Sequence, residues 1–593
     1  MRAFRADLAG DLRHRAAPPL ILLALLLAAP ARAQQDGPIQ LVPPPTPAPS
    51  TTTIPAPLPQ PTNLAPDRDA VVPAGENDIV VAPLQPIDSA WAGTIDENNG
   101  GFPHIMWIGT PRGIVSAALP LLQPSTSPVL SGLAWRLLLS DADSPVGDEP
   151  PNTPGLLALR IDRLYALGIV SDAPPLFERI STSVPNEMID RDHIELRFAA
   201  NDSEGACRDV NEHIARYQGN WWDRALIACQ ALAGDKAKAA LGLSLLADQK
   251  TPADPAFAAL VARLAGQKVK FTQLPDPTPM RLALLAKAKL PLPPDALASA
   301  GPAALYGYAT NDAVPPEERL AAAERAALLG ALPSEDLDTL YGKISFKPEE
   351  LAAAQKAVKP PADARGRALL FMLAGGATEP KARVAAMTLL LADARKRHAF
   401  MLTARLLAPR LVQLVPADSD PGFAADAARA LIAAGHADLA SPWIAAAQDN
   451  AVLVVSRMTG RGKPQIEPAL LKDAIAGLAA RDPANAPYRA DLLLAALSAL
   501  GVERPSLDQA PDLRAPARQA ALPNAALWQE QQRAADSRRF GETVLTTLLI
   551  ANSNGELTGE PIVLARAISG LRAVGLDGEA HALAVEAALE AGL

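Results

Sequence analysis

Aromatic residues make up only 4% of this chain and cysteine occurs twice, so neither a sheet-built core nor a disulfide-dense small fold is expected. No apolar run reaches the roughly 20 residues that cross a bilayer, and no transmembrane span is expected in the mature chain. The usual marks of chemistry are missing as well. There is no Cys-x-x-Cys, no His-Glu-x-x-His helix and no Gly-x-Ser-x-Gly elbow. His104, His193, His213, His398, His436 and His581 are dispersed and form no local constellation. Catalytic, cofactor-binding and metal-ligating residues are therefore expected to be none.

Two tempting fragments fail on inspection. Gly460-Arg461-Gly462-Lys463 has Arg457 where a phosphate loop needs its first glycine, and Pro464 where it needs a hydroxyl, so it reads as a solvated turn. Asp141-Ala142-Asp143 opens like a calcium loop, but Pro145 takes a ligand position and Asn152 replaces the closing glutamate.

The first 33 residues carry an address. Arg2, Arg5, Arg13 and Arg15 precede the apolar run 20–29, and Ala31-Arg32-Ala33 supplies a small-x-small cleavage pattern. A signal peptide cleaved after Ala33 and a periplasmic protein are expected. Five basic and two acidic residues leave with that segment, so 55 and 64 become 50 and 62, a net charge near −12. That balance disfavours nucleic acid and anionic lipid as partners.

Residues 38–66 hold eleven prolines in 29 positions, too many missing backbone donors for a packed core. They read as a semi-rigid, disordered tether. The expected layout is a signal peptide over 1–33, a Pro-rich disordered linker over 34–88, and helical-repeat regions over 89–310 and 311–593.

Alanine and leucine dominate the remainder, and both favour helices. Apolar residues recur at three- and four-residue spacing in 136–139, 156–167, 239–246, 319–329, 383–391 and 490–500, separated by glycine or proline. Residues 268–272 are the main stretch with strand character. A finer pattern repeats five times. Gly168, Gly234, Gly435 and Gly575 are each followed five positions later by alanine (Ala173, Ala239, Ala440, Ala580), and Gly501 by Ser506. Leu164, Leu431, Leu497 and Leu571 stand four residues before four of these glycines. Such spacing suits a helical hairpin, with glycine in the turn and a small residue where the second helix approaches the first.

Residues 231–239, Ala-Leu-Ala-Gly-Asp-Lys-Ala-Lys-Ala, resemble the turn of a tetratricopeptide repeat. The family's aromatic positions and its regular period are absent. The resemblance implies an all-α fold, an irregular α-solenoid of antiparallel hairpins of the tetratricopeptide or HEAT kind. The helical body also resembles the periplasmic, Ala/Leu-rich superhelix of soluble lytic transglycosylases, but their catalytic Glu-Ser dipeptide does not occur here. The layout as a whole resembles secreted proteins of alphaproteobacteria that carry no assigned activity.

Cys207 and Cys229 are nearly equidistant from Gln218-Gly219-Asn220. Antiparallel helices on either side of that turn would bring them together, and a disulfide is expected in an oxidising compartment, worth about 3 kcal/mol. Trp221 and Trp222 cannot both face one interior, since neighbours on a helix differ by about 100°. They form one candidate contact surface; Phe102, His104 and Trp107 form another. The function expected is a non-catalytic periplasmic scaffold that binds a protein, peptidoglycan or another envelope component. The alternative is a glycan-modifying envelope enzyme whose site no local motif marks. Oligomeric state is left open.

Overall fold

Many of the helices here start at a proline. Among the described residues, eleven α-helices have proline as their first residue, including Pro128–Leu139, Pro316–Leu328 and Pro421–Ala433. A first-turn N–H has no intrahelical acceptor, so its absence costs nothing, and the ring presets the helical φ. The computed structural model describes residues 90–150, 154–180, 185–248, 254–416, 420–503 and 522–593. The expected signal peptide, the whole of the Pro-rich linker, Asn152 and Ser506 lie outside them.

The chain is all-α and solenoid-like, with 27 α-helices among the described residues and one two-stranded hairpin, Asn552–Ser553 paired with Glu556–Leu557. The periodic segments fall where expected. Residues 156–167 are the helix Leu156–Leu167, and 239–246 lie inside Lys236–Asp248. Residues 268–272 form no strand. Leu84–Leu593 is one compact unit, and the division expected after residue 310 falls in the turn between Pro302–Thr310 and Pro316–Leu328.

The five-fold glycine pattern has a backbone cause. All five glycines take positive φ: +72° at Gly168, +81° at Gly234, +84° at Gly435, +88° at Gly501 and +83° at Gly575. The residue after each glycine donates its N–H to the carbonyl five positions back, as from Ile169 to Leu164 (2.9 Å) and from His436 to Leu431 (2.8 Å). This is a Schellman closure, whose acceptor is the carbonyl four residues before glycine; Gln230 supplies it at Gly234, so the hydrogen bond sets the position and burial favours leucine there. The leucines and the alanines of the pattern are buried, the alanines at 0 or 1% exposure.

The cost of losing the glycine depends on what surrounds it. A Cβ at Gly168 would lie 2.7 Å from Pro302 Cβ and 2.8 Å from Ala331 Cβ, whereas one at Gly234 would meet nothing within 4 Å. Gly234→Ala should cost about 1 kcal/mol, the left-handed backbone alone. Gly168→Ala should cost about 3 kcal/mol, because overpacking adds to the same strain. Urea denaturation of both variants checks the difference; equal losses would remove close packing from the explanation.

The array closes on itself. Near its start, Phe102 meets Phe540 edge-on at 5.1 Å, and the Gly541 N–H donates to the Met106 carbonyl at 2.8 Å. Thr126 N–H donates to Gly555 O (2.7 Å), and Arg136 pairs with Glu579. Glu586, from the helix Asp577–Glu590, accepts from Val129 N–H at 3.3 Å in the first turn of Pro128–Leu139. A distant side chain thus serves a helix end whose amides have no partner within the helix.

Candidate functional site

The residues singled out by sequence are divided by burial. Phe102, Trp107 and Trp222 are at 0 to 1% exposure, so they present nothing to a partner. Trp107 packs edge-on against Trp91 at 4.7 Å and lies against Gly541, serving the closing seam. Trp222 donates to Glu187 (3.0 Å) and stacks with Tyr217 at 5.1 Å. Trp221 is half-buried, with the Arg191 guanidinium 5.1 Å above its ring. His104 alone stays exposed, its Nε2 3.3 Å from Asp143 Oδ1. These aromatics are therefore wedges between helices rather than a contact surface, with His104 and part of Trp221 as the exceptions. Cys207 and Cys229 lie on the facing helices Ser203–His213 and Asn220–Leu232 at disulfide distance, Cα atoms 5.4 Å apart.

An opening lies where the turns between helices converge. Schellman turns at Gly168 and Gly435, with the left-handed Gly330, bring Ile169, His436 and Leu329 to the wall of a cleft of about 690 Å³. Its opposite wall is the extended segment 122–127 and the helix Pro128–Leu139. A second space of about 630 Å³ continues it through shared Gln123, Pro124, Leu329, Leu548 and Asn552. Closure of the array builds this site. Asn552 Nδ2 donates to the carbonyls of Gln123 (3.0 Å) and Pro124 (3.3 Å), locking the strand hairpin to the segment from the chain's start.

The lining is chemically mixed. Gln123, Glu335, Arg405 and His436 are exposed on it beside Leu402 and Leu548, while Ser131 Oγ donates to the Ser125 carbonyl at 3.0 Å. The buried Asn552 Oδ1 accepts no hydrogen bond from the described residues. Gly132 also lines the cleft, exposed in the middle of a helix, and a Cβ there would meet nothing within 4 Å. Glycine at such a place costs its helix about 1 kcal/mol and keeps the cleft open over bare backbone.

The perturbed carboxyls lie elsewhere. Burial pushes Glu586 up to about 8 and Asp192, Glu195 and Glu542 up to about 7, and none of the four lines the cleft. A smaller space of about 360 Å³ is lined by Tyr165, Asp276 and Thr278. Burial and then the nearby carboxylates, Glu195 and Asp192 first, raise the Tyr165 hydroxyl well above its usual value. Among the described residues no group of three or more His, Cys, Asp or Glu side chains is placed to hold a metal ion.

The chain matches no family model, no curated protein and no solved structure.

Gln123, Gly132 and Asn552 were not legible as site residues, because the cleft joins segments more than 400 positions apart, as in the Asn552 to Gln123 bond. The one advance signal was indirect: the Schellman glycines Gly168 and Gly435 also carry Ile169 and His436 to the wall.

Proposed function

We propose that this protein is an exported, periplasmic scaffold that binds an extended polypeptide segment of an envelope partner in the cleft, without catalysing a reaction on it. The observation that carries this reading is the cleft itself, two connected spaces of about 690 and 630 Å³ whose walls mix apolar, amide and oppositely charged side chains. A long polar and apolar groove suits a chain of alternating side chains, whereas catalysis favours convergent groups of shifted pKa, and those found here lie off its walls. The sequence adds the charged and apolar leader with Ala31-Arg32-Ala33, and a Pro-rich stretch that would extend the reach of the folded body.

Gly132→Trp would fill the cleft from an exposed helix position. It should leave the melting temperature within a few degrees of wild type and abolish rescue of a deletion strain's envelope phenotype. Full rescue by a well-folded Gly132→Trp protein would remove the cleft from the function.

A second reading, an envelope enzyme, is favoured by one arrangement: Tyr165 at the 360 Å³ space, with Glu195 and Asp192 close enough to shift its hydroxyl. Loss of rescue by a folded Glu195→Gln protein, with the Gly132→Trp protein active, would select that reading.

A further inference from the structure

The helix Lys236–Asp248 is apolar on the wrong side. Of its thirteen residues only Ala239 is buried, and the helix packs with its neighbours Asn220–Leu232 and Pro255–Leu264. Leu241 and Leu245 are 60% and 55% exposed, and no other large exposed hydrophobics among the described residues stand four apart on one helix. Lys238 and Asp248, both exposed, extend the stripe, so positions 238, 241, 245 and 248 follow one another at steps of three, four and three. That is the spacing of a two-helix seam.

The stripe is palindromic in chemistry, with a cation at one end, an anion at the other and two leucines between. We propose that this face binds a second copy of the same chain, the two helices antiparallel about a two-fold axis level with Leu243. In that register Leu241 of each copy meets Leu245 of the other, and Lys238 meets Asp248, each contact occurring twice. Parallel pairing would set Lys238 on Lys238 and Asp248 on Asp248. A partner carrying one sign of charge would be repelled at one end. Lys238 currently reaches Asp235 at 2.8 Å, but its side chain is 70% exposed and an exposed pair of that kind gives way at little cost.

The contact is small. A helix of thirteen residues is about 20 Å long, and two leucines per copy cover far less than the roughly 800 Å² per partner of a stable complex. Association is accordingly weak and concentration-dependent. The helix lines neither cleft space, so the paired protein keeps its groove open.

Sedimentation velocity of the full chain from about 1 to 200 µM should show the weight-average coefficient rising from monomer toward dimer, as interfaces of this size class do. Leu241→Glu/Leu245→Glu, at exposed positions and with unchanged far-UV circular dichroism, should stay monomeric throughout. Lys238→Asp and Asp248→Lys should each weaken association about tenfold, and the double exchange should restore it. A wild-type protein that stays monomeric, a dimer that survives the leucine substitutions, or a double exchange no better than either single one would each overturn the proposal.

Discussion

Lowering the pH from about 8 to about 5 is expected to stabilise this protein, because its most perturbed carboxyls bind protons more tightly folded than unfolded. Burial raises Glu586 from 4.5 to about 8, Glu195 and Glu542 from 4.5 to about 7, and Asp192 from 3.8 to about 7. For a raised carboxyl the stabilising proton is fully in place below the unfolded pKa and is lost as pH climbs through the folded one. The window is therefore about pH 4.5 to 8. His193 opposes the trend: burial, then Arg197, lowers it from 6.5 to about 4, so its neutral form loses stability as pH falls through that range. Four groups outweigh one. Asp449, held low overall by Arg481 and Arg429 against its burial, weakens the fold only below the ordinary aspartate range.

Glu586 is the group to test, since its carboxyl faces the first turn of Pro128–Leu139 at the closing seam. One pKa unit corresponds to about 1.4 kcal/mol, so Glu586 alone accounts for roughly 3 kcal/mol between pH 8 and 5. Glu586→Gln keeps an acceptor for Val129 N–H and carries no charge. It should be more stable than wild type at pH 8 by about 3 kcal/mol, nearly equal at pH 5, and flatter in between. Urea midpoints across that range give the answer. An unchanged slope, or a loss of stability at pH 8, would show that burial of Glu586 does not set the response.

Removing the Arg160 side chain should have the second large effect. Arg160 has no exposure, yet no carboxylate forms a salt bridge with it among the described residues. Its guanidinium is spent on backbone: Nε donates to Leu138 O at 2.7 Å, and Nη1 to Ala92 O at 2.6 Å and Ala90 O at 3.2 Å. It also lies 4.9 Å from the centre of the Trp91 ring. Burial lowers its pKa to about 9, with the Asp141 charge opposing the fall, and it stays cationic at neutral pH. The first described residues of the body are thus clasped by one cation.

Arg160→Ala strands those carbonyls and opens a cavity, a loss of about 4 kcal/mol by the usual cost of breaking buried charged contacts. Arg160→Lys keeps the charge but loses the fork, and should cost about half as much. Limited proteolysis of Arg160→Ala should add a cut near Trp91 before the rest of the body opens. Wild-type stability and an uncut Trp91 region would mean that the clasp carries little of the fold.

Local backbone chemistry made much of this architecture readable in advance. Leucine, three residues, glycine, four residues, alanine is a Schellman turn written in sequence, and it identified hairpins at Gly435 and Gly575 without any partner; at Gly168 the turn forms, but the short helix Ala173–Arg179 after it does not pack back on Leu156–Leu167, which packs on Glu187–Ala199 instead. The symmetry of Cys207 and Cys229 about residue 218 was readable for the same reason, since antiparallel helices pair positions equidistant from their turn. What escaped was whatever depends on closure. Glu586 meets Val129 across 457 positions, and Trp107, packed on Trp91, is also covered by Gly541 from the far end of the chain. An aromatic loop near the start of the chain looks like a contact surface until the far end covers it. The cleft was hidden by the same fact, because its walls come from residues near 123, 330, 436 and 552.

The claim that the cleft is the functional surface is tested most directly by placing a photo-cross-linking amino acid, one position at a time, at Gln123 and His436 in living cells. Val358 and Ile562, exposed and outside the cleft, serve as controls. The account predicts one common adduct from both cleft positions, a polypeptide by mass spectrometry, absent from the controls and lost when Gly132→Trp is added. No adduct from either cleft position, or the same adduct from the controls and from the Gly132→Trp protein, would contradict it.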